Sequence, residues 1–418
     1  MKVAIIDGDV SYPATSGKRL RTLNLMLRLA NRHQITYVGR CAPDAVEAKE
    51  APAFLRDHGI EPILVPDPVP QKSGPAFYAR LAANVFAARP FSVTSHQSEP
   101  MRRAVHELAA RQPIDLWQLE WAPYLDVIDA TIPGPRLVIA HNVDTLIWQR
   151  YYETERQFFK KAFLRGQWQK FRRFEHAAFR RAHRVVAVSQ EDARLIRTEF
   201  GQLNVDVVDN GMDRAYFEHA RGERDPHRIL FLGALDWRPN LDAIGLLLDK
   251  IFPQVLAQQG AARLVIVGRN PPAGLVQRVA ALPGVELHAN VADVRPFLAT
   301  CGVMAVPLRI GGGSRLKILE ALACGLPVVA TRVGAEGLSL QPGIDYVQAE
   351  EDAMAAALVY AIRHPAVVRA QAEHGRRIVV ETYDWNVMAR KLETVWEKCL
   401  TSPAALAPAA RCRRADCD

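Results

Sequence analysis

The segment Gly311–Ala330, GGGSRLKILEALACGLPVVA, holds the residues whose types and spacing most directly suggest chemistry. A glycine run opens a helix carrying Arg315, Lys317 and Glu320, and Cys324-Gly325-Leu326-Pro327 turns the chain back into an apolar strand. Ser314 reads as the N-cap and Gly325 as the C-cap. Cations in a first helical turn oppose the macrodipole, which prefers negative charge there. Arg315 and Lys317 therefore make sense if an anion docks at that end, between the exposed backbone N–H groups around Gly313 and Ser314 and two side-chain cations. A phosphate-bearing ligand is the first expectation. Glu320 stays open to two readings, a hydrogen-bond acceptor for that ligand or a plain i,i+3 partner of Lys317.

Other candidates are weaker singly. His141, in Ala-His-Asn-Val-Asp-Thr, follows the strand Leu137–Ala140, and ligands gather at the carboxyl ends of strands in open α/β sheets. It reads equally as a strand cap, with Asn142 and Asp144 shaping the turn. The loop Pro13–Arg19 leads from the first strand into the first helix, and Gly17 permits close backbone approach to an anion. It is neither a GxGxxG fingerprint nor a P-loop, which disfavours a nicotinamide dehydrogenase. Arg238 follows the strand Ile229–Leu232 in Gly-Ala-Leu-Asp-Trp-Arg-Pro-Asn and reads as a phosphate ligand or as a solvated cation beside capping Asp236 and Asn240. Asp7-Gly8-Asp9 is a DxD triplet, although Asp7 also serves as the end of the first strand.

These residues need a scaffold, and the chain supplies alternating apolar strands and amphipathic helices, the pattern of parallel α/β folds. In the first half, strands are expected at Val3–Asp7, Ile35–Gly39, Pro62–Pro66, Asp115–Gln118, Leu137–His141 and Val185–Ser189, with helices such as Lys18–Arg32 and Pro100–Arg111 between them. Val205–Val208 leads into the turn-rich Asn210-Gly211-Met212-Asp213. A second series follows at Ile229–Leu232, Leu264–Val267, Val285–His288, Val303–Val306, Pro327–Ala330 and Tyr346–Gln348. Two successive doubly wound, Rossmann-like units are the economical reading, divided as 1–207 and 208–383. A long helix over 384–400 and an Ala/Pro-rich, disordered 401–418 complete the chain.

The 418 residues, 49% hydrophobic and 23% charged, suit a globular chain of two or three domains. A net charge of +8 favours anionic partners. The six cysteines show no metal-ligand spacing and fit a reducing cytoplasm. The first strand begins at once, leaving no room for a signal peptide, and no apolar run reaches the ~18 residues of a membrane-spanning helix. The stretch Arg156–Arg184 holds ten Lys or Arg and one acid, Glu175. Its face Leu164, Trp168, Phe171, Ala178 and Ala182 suits either packing on the first domain or an anionic membrane surface. No nucleic-acid motif accompanies the charge.

The block Glu320-Ala-Leu-Ala-Cys-Gly-Leu-Pro-Val-Val329 resembles the donor-site signature of GT-B glycosyltransferases, in the retaining group known as family 4. The family's earlier Glu would fall at Gly312 and is missing, a variant seen among bacterial sugar transferases of exopolysaccharide clusters. Many members also carry Gly-Arg where this chain has Gly233-Ala234, and a Lys near Arg238. The resemblance implies a GT-B architecture in which the last helix crosses back onto an acceptor-side first domain, the second binding a nucleotide sugar. It implies that Arg315, Lys317 and Arg238 hold diphosphate with Gly17 nearby, that Glu320 takes a ribose diol, and that His141 touches the donor sugar. The implied activity is metal-independent, retaining transfer to a glycan or lipid-linked acceptor, in exopolysaccharide or cell-surface glycan assembly. No cofactor is expected beyond the co-substrate, and the implied location is cytoplasmic, peripheral to the inner face of the plasma membrane. The competing readings are a nucleotide-sugar epimerase of the same fold and an inactive binding subunit.

Overall fold

The computed structural model describes residues 1–71, 73–218, 220, 222–311 and 316–401. Apolar runs bounded by turns become two parallel sheets. The first contains β1 (Lys2–Ile6), β2 (Gln34–Arg40), β3 (Ile60–Val65), β4 (Leu116–Leu119), β5 (Arg136–Ala140), β6 (Arg184–Ala187) and β7 (Val205–Val207), in the order β3-β2-β1-β4-β5-β6-β7. The second contains β8 (Asp225–Leu232), β9 (Arg263–Gly268), β10 (Val285–Ala289), β11 (Cys301–Val306), β12 (Val328–Ala330) and β13 (Val347–Gln348), ordered β10-β9-β8-β11-β12-β13. Each expected strand is present with shifted ends. In each sheet the order reverses beside the first strand, and the crevice outside the carboxyl ends of the strands is the place for ligands.

The closing helix is Trp385–Thr401, so Thr401 ends a helix rather than opening a tail, and Ser402–Asp418 lie outside the described residues. Its Trp385, Met388, Leu392 and Trp396 are buried against β1 and the helix Gly17–Leu29 of the first unit. The chain thus crosses between units twice, and the crossings are joined. Met212 N–H donates to Tyr383 C=O at 2.7 Å and Trp385 N–H to Met212 C=O at 3.3 Å. A Cβ on Gly211 would come within 2.5 Å of the Trp385 ring, so only glycine fits there. The buried Arg21 guanidinium donates to the carbonyls of Val208 at 2.7 Å and Asp209 at 2.6 Å, fixing the same junction.

The units also touch along a second seam. Ile310 packs with Ile147, Tyr151 and Leu164, and Arg150 grips Glu336 through two bonds of 2.7 and 2.8 Å. The basic helix runs Phe158–Arg181. Its apolar face is covered by the helix Asp144–Thr154, with Trp148 stacked on Phe171 and Tyr152 on Trp168. Glu175, the one acid in that stretch, is buried and accepts the backbone N–H groups of Asp144 and Thr145 at 2.8 and 2.9 Å, capping the neighbouring helix.

Candidate active site

Two cavities lie at the carboxyl ends of the strands. The larger, about 940 Å³, is framed by Gly233 and Ala234 after β8, Gly268–Asn270 after β9, and Asn290–Ala292 after β10. Its opposite wall is the first loop, Ala14–Gly17. Glycine is required where these loops crowd, since a Cβ on Gly268 would lie 1.9 Å from the Gly233 carbonyl oxygen. Gly17 begins its helix, capped by Ser16, and a Cβ there would come within 3.0 Å of Leu316 in the other unit. Gly17 therefore sits where the units meet, at the edge of this cavity.

The helix after the glycine run is Leu316–Ala323. It ends as the sequence requires: Gly325 has φ +69°, its N–H donates to Leu322 C=O at 2.8 Å, and Leu326 N–H reaches Ala321 C=O at 2.9 Å. Glu320 faces the 940 Å³ cavity, and its carboxylate accepts no hydrogen bond among the described residues. Burial pushes its carboxyl up to about 7, against the opposing charge of Lys317. Lys317 acts on Glu320 through its charge, with no ion pair within 4.0 Å between the two among the described residues. Its Nζ donates to Asn240 Oδ1 at 3.0 Å and lies 4.7 Å from the Phe231 ring centre. Gly312, Gly313, Ser314 and Arg315 lie outside the described residues.

The other candidates separate. Arg238 is on the seam rather than in either cavity, 3.2 Å from Glu155 and 4.4 Å above the Tyr151 ring. The Asp7-Gly8-Asp9 triplet is packing. Asp7 is buried against Lys18, Ser11 and Tyr37, Asp9 pairs with Arg19, and a Cβ on Gly8 would overlap the Tyr124 hydroxyl. Lys18 and Arg19 thus turn inward onto carboxylates.

His141 lines the second cavity, about 720 Å³, on the first unit. Its Nε2 lies 2.8 Å from Glu120 Oε2, which also accepts Thr22 Oγ1 at 2.7 Å. The other oxygen accepts Gln118 Nε2 at 2.6 Å, and Gln118 in turn accepts Trp396 Nε1 at 2.7 Å from the closing helix. Burial works to raise Glu120, but His141, Thr22 and Gln118 outweigh it and keep the carboxyl anionic. Burial pulls His141 below its ordinary range, with Glu120 acting in the opposite direction. Sequence reasoning missed Glu120. The available signal was Gln118 and Glu120 two residues apart, on one face of an otherwise apolar run.

Residues 226–364 match the family model of glycosyl transferases group 1. That match lies wholly within the second unit. This domain holds Glu320, Lys317 and most of the 940 Å³ cavity. The chain is 27% identical over 263 residues to an MMP alpha-(1->4)-mannosyltransferase of Mycolicibacterium hassiacum, covering 60% of this chain and 62% of that protein. It is 33% identical over 189 residues to a phosphatidyl-myo-inositol mannosyltransferase of Mycobacterium leprae, covering 42% and 47%. The chain thus spans less than two-thirds of either relative. Among solved structures, sucrose-phosphate synthase of Thermosynechococcus elongatus superposes with a TM-score of 0.70 at 18% identity, covering 95% of this chain and 99% of that one. HepE of Anabaena, in complex with UDP and glucose, gives 0.66 at 15% identity over 95% and 100%. The two units together therefore have the GT-B fold.

Proposed function

We propose that the chain is a metal-independent, retaining glycosyltransferase moving a sugar from a nucleoside-diphosphate donor to an acceptor hydroxyl. The observation that carries this reading is Glu320, a carboxylate on the wall of the 940 Å³ cavity that accepts no hydrogen bond among the described residues, inside the family-matched segment. A ribose diol would supply the two hydrogen bonds it lacks. Lys317 and Arg315 then hold the diphosphate, where leaving-group charge develops, and fixed cations stabilise the transition state selectively. Gly17, Gly313 and Ser314 supply backbone N–H groups, and His141 contacts the sugar. Both oxygens of Glu120 are already hydrogen-bonded, which makes it a poor nucleophile and favours attack on the face the leaving group departs from.

The names of the relatives put mannosyl donors first among those to try, and cell-surface glycan or exopolysaccharide assembly is the setting. No helix among the described residues is long and apolar enough to cross a membrane. Exposed Phe158 and Phe159, beside Lys160, Lys161 and Arg165, support peripheral attachment to an anionic surface on the cytoplasmic side.

Calorimetric titration with UDP, GDP, ADP and NAD, with and without EDTA, on wild type and Glu320→Ala tests the reading. Tight, EDTA-insensitive binding of one nucleoside diphosphate, weakened by the substitution, is expected. Binding of none, or of NAD alone, overturns it. A bound nucleotide sugar converted without any acceptor would identify an epimerase, and one never turned over a binding subunit.

A further inference from the structure

On either side of residues 312–315 the second unit reaches over to the first. On the entering side, Ile310 is buried among Ile147, Tyr151 and Leu164 of the first unit. The next residue, Gly311, gives its carbonyl to the Arg150 guanidinium, also of the first unit. On the leaving side, Leu316 packs against the core shared by the first sheet and the closing helix, 3.0 Å from where a Cβ on Gly17 would lie. The helix that carries Lys317 and Glu320 is thus approached through residues seated on the other unit.

Arg150 holds two groups of the second unit at once. Its Nη1 donates to the Gly311 carbonyl and to Glu336 Oε2 at 2.7 Å, and its Nη2 donates to Glu336 Oε1 at 2.8 Å. A guanidinium can do this because its donors form a rigid planar fork. A pair that served to staple the units together would need no carbonyl, and a partly exposed ion pair contributes little by itself. The helix bearing Arg150, Asp144–Thr154, is firmly seated. Glu175 caps its first turn through the N–H groups of Asp144 and Thr145, and Trp148 stacks on Phe171. His141 lies just before this helix, and Arg150 stands about 9 Å along the axis from Asp144. One short rod therefore joins the His141 end of the first unit to the chain entering the Glu320 helix.

We propose that Arg150 is a positioning residue for nucleoside-diphosphate binding, which from the first unit holds the Gly311 carbonyl and so fixes the chain leading to Lys317 and Glu320. The word diphosphate rests on the reading of the 940 Å³ cavity proposed above, and the positioning rests on the contacts of Arg150 alone. Arg150 lines neither of the two cavities. It acts by ordering the approach to the site beforehand, so that binding does not have to supply that ordering.

The test compares Arg150→Ala, Arg150→Met and Glu336→Gln with wild type, as full chains shown to be folded by thermal unfolding. Glu336→Gln removes the ion pair and leaves the Gly311 bond, whereas both Arg150 variants remove the two together. Arg150→Met keeps the aliphatic stem in the seam. Calorimetric titration with UDP, GDP and ADP is read beside peptide-resolved amide hydrogen exchange of the ligand-free protein. In both Arg150 variants, the nucleoside diphosphate that binds wild type should bind about tenfold or more weakly. Exchange over Leu316–Ala323 should quicken about fivefold or more, while exchange over Asp144–Thr154 stays unchanged. Glu336→Gln should remain within about threefold of wild type in both readouts. Equal weakening in Arg150→Ala and Glu336→Gln makes Arg150 a staple of the seam and overturns the inference. Wild-type behaviour of the Arg150 variants overturns it too, as does weakening in Arg150→Ala but not in Arg150→Met. Wild type that binds none of the three nucleotides sinks the diphosphate reading. Exchange then decides on Arg150 by itself, upheld by the stated contrast between variants and overturned by its absence.

Discussion

Glu120 and His141 stand 2.8 Å apart at the carboxyl ends of neighbouring strands, Glu120 buried and His141 partly buried, in the network that begins at Trp396. Three donors converge on the Glu120 carboxylate, so Glu120→Gln turns one acceptor oxygen into a donor facing another donor. That substitution should cost about 1–3 kcal/mol in urea unfolding and lower kcat/KM for transfer about 10–100-fold. His141 adds a pH signature. Its folded pKa is depressed, so the stability it contributes is present above the unfolded value of about 6.5 and is lost as pH falls toward the folded one. His141→Asn should flatten that part of the stability profile.

Glu320 has the opposite sign. Its carboxyl is raised from 4.5 to about 7, so its contribution is fully present below about 4.5 and disappears as pH rises through 7. The ligand-free protein should lose on the order of 3 kcal/mol across this window, and Glu320→Gln should not. A ribose diol favours the ionised form. Nucleotide binding at pH 6 should therefore release close to one proton, read as a buffer-dependent enthalpy, and Glu320→Gln should abolish the release.

Lys317 sits in a slot defined by Gly233, where an added Cβ would lie 2.8 Å from its Nζ and 2.8 Å from Asn240 Nδ2. Lys317→Ala should lower kcat about 100-fold or more, and Gly233→Ala should weaken nucleoside diphosphate binding about tenfold by displacing the ammonium. Equal binding in both variants and wild type would remove Lys317 from the donor site.

Arg150 and Glu336 form a bidentate, partly buried pair across the seam. A double-mutant cycle through Arg150→Ala and Glu336→Ala should return a coupling on the order of 1 kcal/mol in thermal unfolding. Small-angle scattering of either variant should show a larger radius of gyration if this pair holds the cleft narrow.

The strands were legible because both faces of a parallel strand are covered, and Leu264–Val267 or Val303–Val306 can be little else. The turn at Gly325 was legible because a positive φ selects glycine. The partners of Arg238 were not. Glu155 lies 83 residues away, and nothing in the local pattern says that a cation after a strand will reach across a domain seam to it. Glu120 was hidden for a related reason. One acid at the end of an apolar run looks like a strand terminus until Thr22, Gln118 and His141 are brought round it by the fold. Glu175 shows the converse, an acid in a basic surface stretch that is interior because it caps another helix.

The paired crossings at Met212 and Asp384 resemble the two leaves of a door hinge more than a tether. A single connecting strand would let the second unit tumble through any angle. Two strands pinned side by side, with Arg21 bracing one and the Trp385 ring the other, leave one easy rotation, about the line that joins them. Motion about that line can bring Glu320 and His141 toward or away from each other but resists sliding them past one another. The alignment of donor to acceptor is thereby set at the rim of the 940 Å³ cavity itself, where Met212 and Trp385 are part of the lining.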